Sequence, residues 1–137
     1  MYDLIIEDPA KIQVKSKRHS FHYAIDGTKE NPIEATYAAL AGCAGVYALK
    51  ACKKLNLSPM GIKISGKPYM DKVNPLMISK WITDITFPEG WSDENKQKVI
   101  GEIQKCAVKE MISKGFEISF LTEEKKSASQ DVLGCHP

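Results

Sequence analysis

The sequence NPIEATYAALAGCAGVYALKACKKL, which begins at Asn31 and ends at Leu55, predicts one long helix. Asn31 can cap the helix, and Pro32 suits the first helical position because that position donates no intrahelical hydrogen bond. From Ala35 to Leu49 the only plainly polar residue is Thr36. A helix that is apolar on every side is buried on every side. The sequence therefore predicts a central helix that needs cover all round.

Two short stretches before this helix alternate polar and apolar residues. They are Lys11 to Lys15 and Ser20 to Ile25, and Asp26–Gly27 follows as a turn. Strict alternation is typical of a strand with one buried face. These stretches predict an antiparallel meander ahead of the helix.

Further strands are predicted after the helix. The stretch Gly61 to Ser65 alternates, and Gly66 and Pro68 are expected to interrupt it because both residues weaken strands. The stretch Leu76 to Phe87 is rich in β-branched and aromatic residues, which favour strands.

The last third of the chain predicts a second helix and a final strand. Ser92 is a good cap, and the amphipathic pattern that follows includes Cys106 and ends at Gly115. The stretch from Phe116 to Phe120 alternates as a strand does. The polar tail, Thr122 to Pro137, is expected to be loosely held.

The order of these elements favours an α+β fold in a single domain over residues 1–137. The central helix needs apolar cover on all sides, yet the chain offers one other helix and a modest sheet. A second copy of the chain is the economical source of that cover, so we expect a homodimer.

Composition excludes several classes of protein. The net charge of +2 is too small to argue for a nucleic-acid partner. The longest nearly apolar stretch, Ala35 to Leu49, is shorter than the ~20 residues that span a bilayer, so no membrane association is expected. No secretory signal is visible at the N-terminus, which predicts a cytoplasmic protein. A disulfide in that compartment is more often catalytic than structural.

Four cysteines, at positions 43, 52, 106 and 135, are candidates for chemistry. No pair has the C-x-x-C spacing of a zinc or thioredoxin-like motif. Cys43 and Cys106 can each be small buried hydrophobes or reactive thiols, and reactivity needs a nearby cation or helix N-terminus. Cys52 is expected to be structural, and Cys135–His136 to be incidental.

The run Asn31-Pro32-Ile33-Glu34, followed by AALAGC at positions 38–43, resembles the signature that opens the central helix in the OsmC/Ohr family. The second family cysteine lies on a later helix, and here Cys106 follows Cys43 by 63 residues. The Pro-x-Glu form resembles the broader OsmC-like branch, because the hydroperoxide-specialised branch has glutamate where Ile33 stands. Ala107 replaces the proline that many members carry.

The resemblance implies an OsmC-like fold with antiparallel sheets, a buried central helix, a second amphipathic helix and an intertwined homodimer. It also implies a thiol-dependent peroxidase that reduces organic hydroperoxides without a cofactor or a metal. Cys43 would become a sulfenic acid, Cys106 would condense with it to a disulfide, and a dithiol reductant would restore both thiols. The alternative is a non-enzymatic relative that binds a small ligand or senses redox state.

Members of the best-studied branches hold the reactive thiolate beside an arginine, which a glutamate positions. The resemblance implies these roles for Arg18, the only arginine of the chain, and for Glu34. Arg18 can equally be a surface charge, and Glu34 a first-turn acid stabilised by the helix dipole. His19 or His22 can replace Arg18 as the cation.

Overall fold

The computed structural model describes residues 1–122, so most of the predicted tail, including Cys135 and His136, lies outside the described residues. The described part contains five strands and three helices. In chain order they are β1 (Asp3–Asp8), β2 (Lys11–Lys15), β3 (Ser20–Ala24), α1 (Pro32–Leu55), β4 (Lys63–Met70), β5 (Ile78–Thr86), α2 (Asp93–Ile103) and α3 (Ala107–Lys114). The predicted α+β class is confirmed.

The first three strands form an antiparallel sheet in the order β1-β2-β3. Val14 on the central strand pairs with Leu4 on one side and with Phe21 on the other. The predicted meander is confirmed, with β1 as an additional strand. Ala24 is the only buried residue of the sheet, whereas Leu4 and Phe21 are exposed. This sheet therefore carries apolar side chains that the described part of the chain does not cover.

Helix α1 has the predicted start and end because both are defined by local capping. The Asn31 side chain accepts the Glu34 backbone N–H at 2.9 Å, and the Glu34 carboxylate accepts the Asn31 N–H at 3.3 Å. Asn56 ends the helix in the left-handed conformation, with φ of 54°. Neither α1 nor any other helix within residues 1–122 is long and apolar enough to cross a membrane.

One side of α1 forms the core of the protein. Leu40, Ala44, Ala48 and Ala51 recur every three or four residues and are buried, as expected for one helical face. Several of them join a single cluster with Cys52 and with the α2 residues Val99 and Ile103.

Within the described residues α1 is buried on one side only, and the cover expected from a second copy of the chain stays a prediction. Val46 is 49% exposed and Leu49 is 57% exposed, since α2 and the β4–β5 sheet cover only the opposite face. A Cβ atom added at Gly42 or Gly45 would contact nothing within 4 Å in the described residues. These glycines therefore do not serve a close approach within the described part of the chain.

The second sheet pairs β4 with β5 in antiparallel register. Strand β4 continues through Gly66 and Pro68, so the predicted interruption is wrong. Both strands of a two-stranded sheet are edges, where a missing N–H is tolerated. Position 66 requires glycine because the Trp81 ring of β5 occupies the space that a Cβ atom would need. The predicted strand between Leu76 and Phe87 is confirmed.

The helix predicted from Ser92 to Gly115 is in fact two helices, α2 and α3. Ser92 caps α2 as expected, accepting the Asn95 N–H at 3.1 Å. Cys106 interrupts the helix because it adopts an extended backbone and starts α3 as its N-cap.

The final strand predicted from Phe116 to Phe120 is absent. These residues are not paired with any strand in the described chain, and both phenylalanines are exposed. Alternation alone does not make a strand, because its backbone groups need a partner strand.

Candidate redox site

The structure joins Cys43 and Cys106 as a disulfide, with Cα atoms 6.1 Å apart. That separation lies inside the ~7 Å limit for bridging two cysteines without moving the backbone. Cys43 lies in the middle of α1, and Cys106 lies in the turn between α2 and α3. The pairing that the family resemblance implied is therefore present in the structure.

Packing of α2 on α1 brings Cys106 to Cys43. Ile103, one turn before Cys106, lies in the core cluster with Ala44, the residue next to Cys43. The Cys106 N–H then donates to the Ile103 carbonyl at 3.1 Å, which closes the end of α2. The same core contacts that stabilise the fold therefore position the two sulfur atoms.

Cys106 accepts a hydrogen bond at the start of α3. Its Sγ atom lies 3.5 Å from the Lys109 backbone nitrogen, which donates to it. Helix N-termini carry a partial positive charge and favour a negatively charged sulfur. Cys106 therefore has a local group that stabilises its thiolate, whereas Cys43, within a continuous helix, has no such terminus.

The two cysteines differ in exposure. Cys106 is 2% exposed, whereas Cys43 is only partly buried. Molecules in solution therefore reach Cys43 more readily than Cys106.

A cavity of about 400 Å³ lies beside the pair, between β5 and the three helices α1, α2 and α3. Its walls are mainly apolar and include Cys106 itself. Ligand pockets commonly have this size and this apolar character. The apolar wall residues include Leu40, Ala44, Trp81, Ile85, Ile103 and Ile112.

The structure does not bring Arg18 and Glu34 together. Arg18 is exposed in the turn between β2 and β3, which the Ser16 N–H closes by donating to the His19 carbonyl at 2.8 Å. Glu34 belongs to the capping box of α1. Within residues 1–122, no hydrogen bond or ion pair links either side chain to the other or to Cys43. Their roles at the thiolate stay predictions.

The two histidines near Arg18, His19 and His22, make no hydrogen bond or ion pair with a cysteine in the described part of the chain. His22 is exposed, and its Nδ1 atom lies 3.3 Å from a Glu7 carboxylate oxygen. His19 packs its ring near Phe21, with centroids 6.4 Å apart.

Cys52 is a core residue, as predicted. It is fully buried beside Val99, and burial raises the pKa of its thiol. A thiol in this environment stays protonated and unreactive at neutral pH.

Sequence reasoning missed the cavity and the capping role of Cys106. Cysteine is not among the preferred N-cap residues, so nothing in the sequence marked the start of α3. One signal for the cavity wall was available in the sequence. Gly66 lies at the end of a predicted strand, and a glycine within a strand often marks the close approach of another group, here the Trp81 ring.

Comparisons with known proteins support the fold. No protein-family model matches the chain, and no curated protein sequence is significantly similar to it. A solved structure from Psychrobacter arcticus, described as an osmotic stress induced and detoxification response protein, matches with a TM-score of 0.66 at 13% identity. The match covers 80% of this chain and 85% of that one.

An OsmC-like protein from Mycoplasma pneumoniae matches with a TM-score of 0.65 at 11% identity. This match covers 82% of this chain and 87% of the Mycoplasma protein. The chain thus has the fold of OsmC-like proteins, as its AALAGC signature implied. Identities this low establish the fold and leave the activity to be argued from the site.

Proposed function

We propose that the protein is a thiol-dependent peroxidase that reduces organic hydroperoxides. The observation that carries this proposal is the pairing of Cys43 with Cys106 beside an apolar cavity, in an OsmC-like fold. The partners are the hydroperoxide and a dithiol reductant, and the compartment is the cytoplasm, where the pair would rest in its reduced form.

The proposed cycle uses both cysteines. The Cys43 thiolate attacks the terminal oxygen of the hydroperoxide, the O–O bond breaks, and the alcohol leaves after taking up a proton. Cys43 is then a sulfenic acid, and the Cys106 thiolate attacks its sulfur to form the disulfide and release water. A dithiol reduces the disulfide by two exchange steps and is itself oxidised to a disulfide.

Cys43 is the proposed attacking residue because it is the more exposed of the two. Cys106 is the proposed resolving residue, because its sulfur is buried at bonding distance and is stabilised by the Lys109 N–H. The apolar cavity favours organic substrates over hydrogen peroxide, since burial of an alkyl group contributes about 0.8 kcal/mol per methylene.

The division of labour can be tested in a Cys106→Ser variant. Serine keeps an N-cap acceptor for α3, so the fold is preserved while resolution is blocked. One equivalent of an organic hydroperoxide is expected to leave a sulfenic acid on Cys43, detected by mass spectrometry after a sulfenic-acid-specific nucleophile is added. Cys52→Ala, with the pair intact, is expected to form the disulfide instead. A sulfenic acid found on Cys106 in a Cys43→Ser variant, with none on Cys43 in Cys106→Ser, would reverse the roles.

We further propose that the protein is a homodimer. Two apolar surfaces have no cover within the described residues: the β1-β2-β3 sheet and the face of α1 that includes Val46 and Leu49. Monomeric proteins rarely expose contiguous apolar areas of this kind.

Sedimentation velocity at micromolar concentration is expected to show a dimer. Leu49→Lys places a charge on the exposed face of α1 and is expected to yield monomers. Leu76→Lys is a matched control, because Leu76 is 72% exposed on the loop before β5. A wild-type monomer at this concentration would contradict the proposed assembly, and a dimeric Leu49→Lys variant would exclude this face as the interface.

Arg18 and Glu34 are proposed to activate the Cys43 thiolate. Arg18 is the only arginine, and it lies in a hairpin turn with no ion-pair partner in the described part of the chain. Its guanidinium is therefore available to an anion from outside its own sheet. Arginine suits this role because it stays charged and has a fixed geometry.

The alternative function is a ligand-binding or redox-sensing protein. The apolar cavity beside a closed disulfide favours it, because both features serve binding or sensing without turnover. Consumption of many equivalents of a hydroperoxide for as long as a dithiol lasts supports the peroxidase, since a ligand-binding protein would consume none.

A further inference from the structure

The cavity beside Cys106 has one wall whose position depends on a glycine. We propose that this cavity binds the uncharged alkyl chain of the substrate, and that Trp81, seated on Gly66, determines the length of chain admitted. The inference deepens the proposed function and rests on it for the chemistry. The binding of an unreactive apolar molecule does not depend on that chemistry.

The Trp81 ring occupies space that any other residue at position 66 would need. Gly66 on β4 and Trp81 on β5 lie on the same face of the two-stranded sheet, in residue pairs two steps apart along the strands. A Cβ atom built on Gly66 would overlap the Cζ2 and Cε2 atoms of the Trp81 indole. The indole therefore lies close over the β4 backbone at Gly66.

Two further contacts fix the indole. Its Nε1–H donates to Thr83 Oγ1 at 3.1 Å, and the Tyr37 ring of α1 packs against it with centroids 6.0 Å apart. Because its polar atom is already hydrogen-bonded, Trp81 presents only an apolar surface to the cavity. A fixed aromatic wall of this kind sets a definite limit on ligand size.

The charges around the cavity favour a neutral ligand. Among the described residues that line it, Lys109 is the only charged one. Its ammonium lies 3.1 Å from Glu110 Oε1 and 3.4 Å from the Gln104 carbonyl, so its charge is already paired. A carboxylate or phosphate would find no unpaired cation here, whereas an alkyl chain would find an apolar volume of about 400 Å³.

The cavity reaches one of the two paired cysteines. Cys106 forms part of the wall, and its sulfur is bonded to that of Cys43. An alkyl chain in the cavity therefore contacts Cys106, and the sulfur of Cys43 lies one bond beyond it, outside the lining residues. This arrangement explains how a chain-length limit at Trp81 becomes a substrate preference.

The test is the binding of unreactive primary alcohols, from 1-butanol to 1-decanol, to the oxidised protein by isothermal titration calorimetry. Wild-type affinity is expected to rise with chain length up to a limit. Gly66→Ala displaces the indole into the cavity, and we expect it to weaken binding of the longest alcohols by about tenfold for every two methylenes excluded. Binding of 1-butanol is expected to change little.

Gly101→Ala is the matched control, because a Cβ atom at Gly101 contacts nothing in the described structure. Trp81→Leu makes the opposite change, since it enlarges the cavity, and is expected to admit longer or branched alcohols. If Gly66→Ala does not fold, the chain-length limit measured in Trp81→Leu still tests the role of Trp81. Failure of every alcohol to bind, or an unchanged chain-length limit in Trp81→Leu, would overturn the inference.

The outcomes separate this inference from the proposed function. Alcohol binding with the expected chain-length limit, but no hydroperoxide turnover, would refute the peroxidase alone. Turnover whose kcat/KM does not vary with chain length, together with absent alcohol binding, would refute the role of Trp81 alone.

Discussion

Replacement of Cys43 by serine is expected to lower hydroperoxide turnover to the uncatalysed rate. The reaction needs a thiolate that accepts an oxygen atom and becomes a sulfenic acid, and a serine hydroxyl cannot be oxidised in this way. Turnover is measured as consumption of an organic hydroperoxide by the reduced protein with an excess of dithiol. The loss should be complete rather than partial, because the other two described cysteines, Cys52 and Cys106, are both buried.

Cys52→Ala is the control for loss of a thiol. Cys52 is buried in the core, so its removal should leave turnover close to the wild-type rate. Full turnover by Cys43→Ser would refute the assignment of the attacking residue. Absence of turnover in the wild type with several dithiols would favour the ligand-binding or sensing alternative.

Arg18→Ala extends the same measurement to the activating cation. Removal of a group that stabilises developing charge typically costs about a hundredfold in rate. The deficit should shrink as the pH rises, because the thiolate then forms without assistance. Arg18→Lys should keep part of the wild-type rate. The control variant Lys17→Ala, in the same turn, should keep all of it. An unchanged rate in Arg18→Ala would direct attention to His19.

Reduction of the Cys43–Cys106 disulfide is expected to lower the free energy of unfolding by about 4 kcal/mol. A crosslink restricts the unfolded chain, and the effect grows with the number of residues enclosed. This disulfide spans 63 residues, which gives a value between those for short and very long loops. A typical domain has a stability of only about 5–15 kcal/mol, so the change should be readily measured.

Urea unfolding of oxidised and reduced protein, at one fixed protein concentration, checks this expectation. The double variant Cys43→Ser with Cys106→Ser should be insensitive to reductant and should resemble the reduced protein. If the oxidised and reduced proteins unfold at the same urea concentration, the disulfide does not constrain the chain in solution.

The parts of the fold that are specified locally were predictable from the sequence. Asn31, Pro32 and Glu34 define the start of α1 through contacts within one helical turn. The alternation of Lys11–Lys15 likewise predicted β2, because the neighbouring strand is supplied by a short hairpin.

The parts that depend on distant partners were not predictable. Gly66 and Pro68 indicated an interruption, but pairing with β5 kept both within a strand. The stretch Phe116–Phe120 has the alternation of a strand, yet no partner strand reaches it in the described chain. The break at Cys106 lies within an apolar stripe that is continuous in sequence.

The candidate site was predictable only in part, and mainly through a resemblance. From the residues alone, Cys43 and Cys106 could both have been core side chains. The AALAGC signature paired them, and the Cα separation of 6.1 Å agrees. The cavity depends on Trp81 lying over Gly66, which requires the register between β4 and β5 and is therefore not visible in the sequence.

The sulfur of Cys106 has a second role, as the N-cap of α3. In a disulfide this capping atom is uncharged, whereas as a thiolate it carries a full negative charge at the positive end of the helix. A charge in this position typically stabilises a helix by about 0.3–1 kcal/mol. Reduction therefore loosens the tether between α1 and α3, and ionisation of the freed Cys106 thiol would in addition strengthen the first turn of α3. The first turn of α3 and the crosslink to α1 thus share one sulfur atom, so a change in the oxidation state of the cysteine pair acts directly on both.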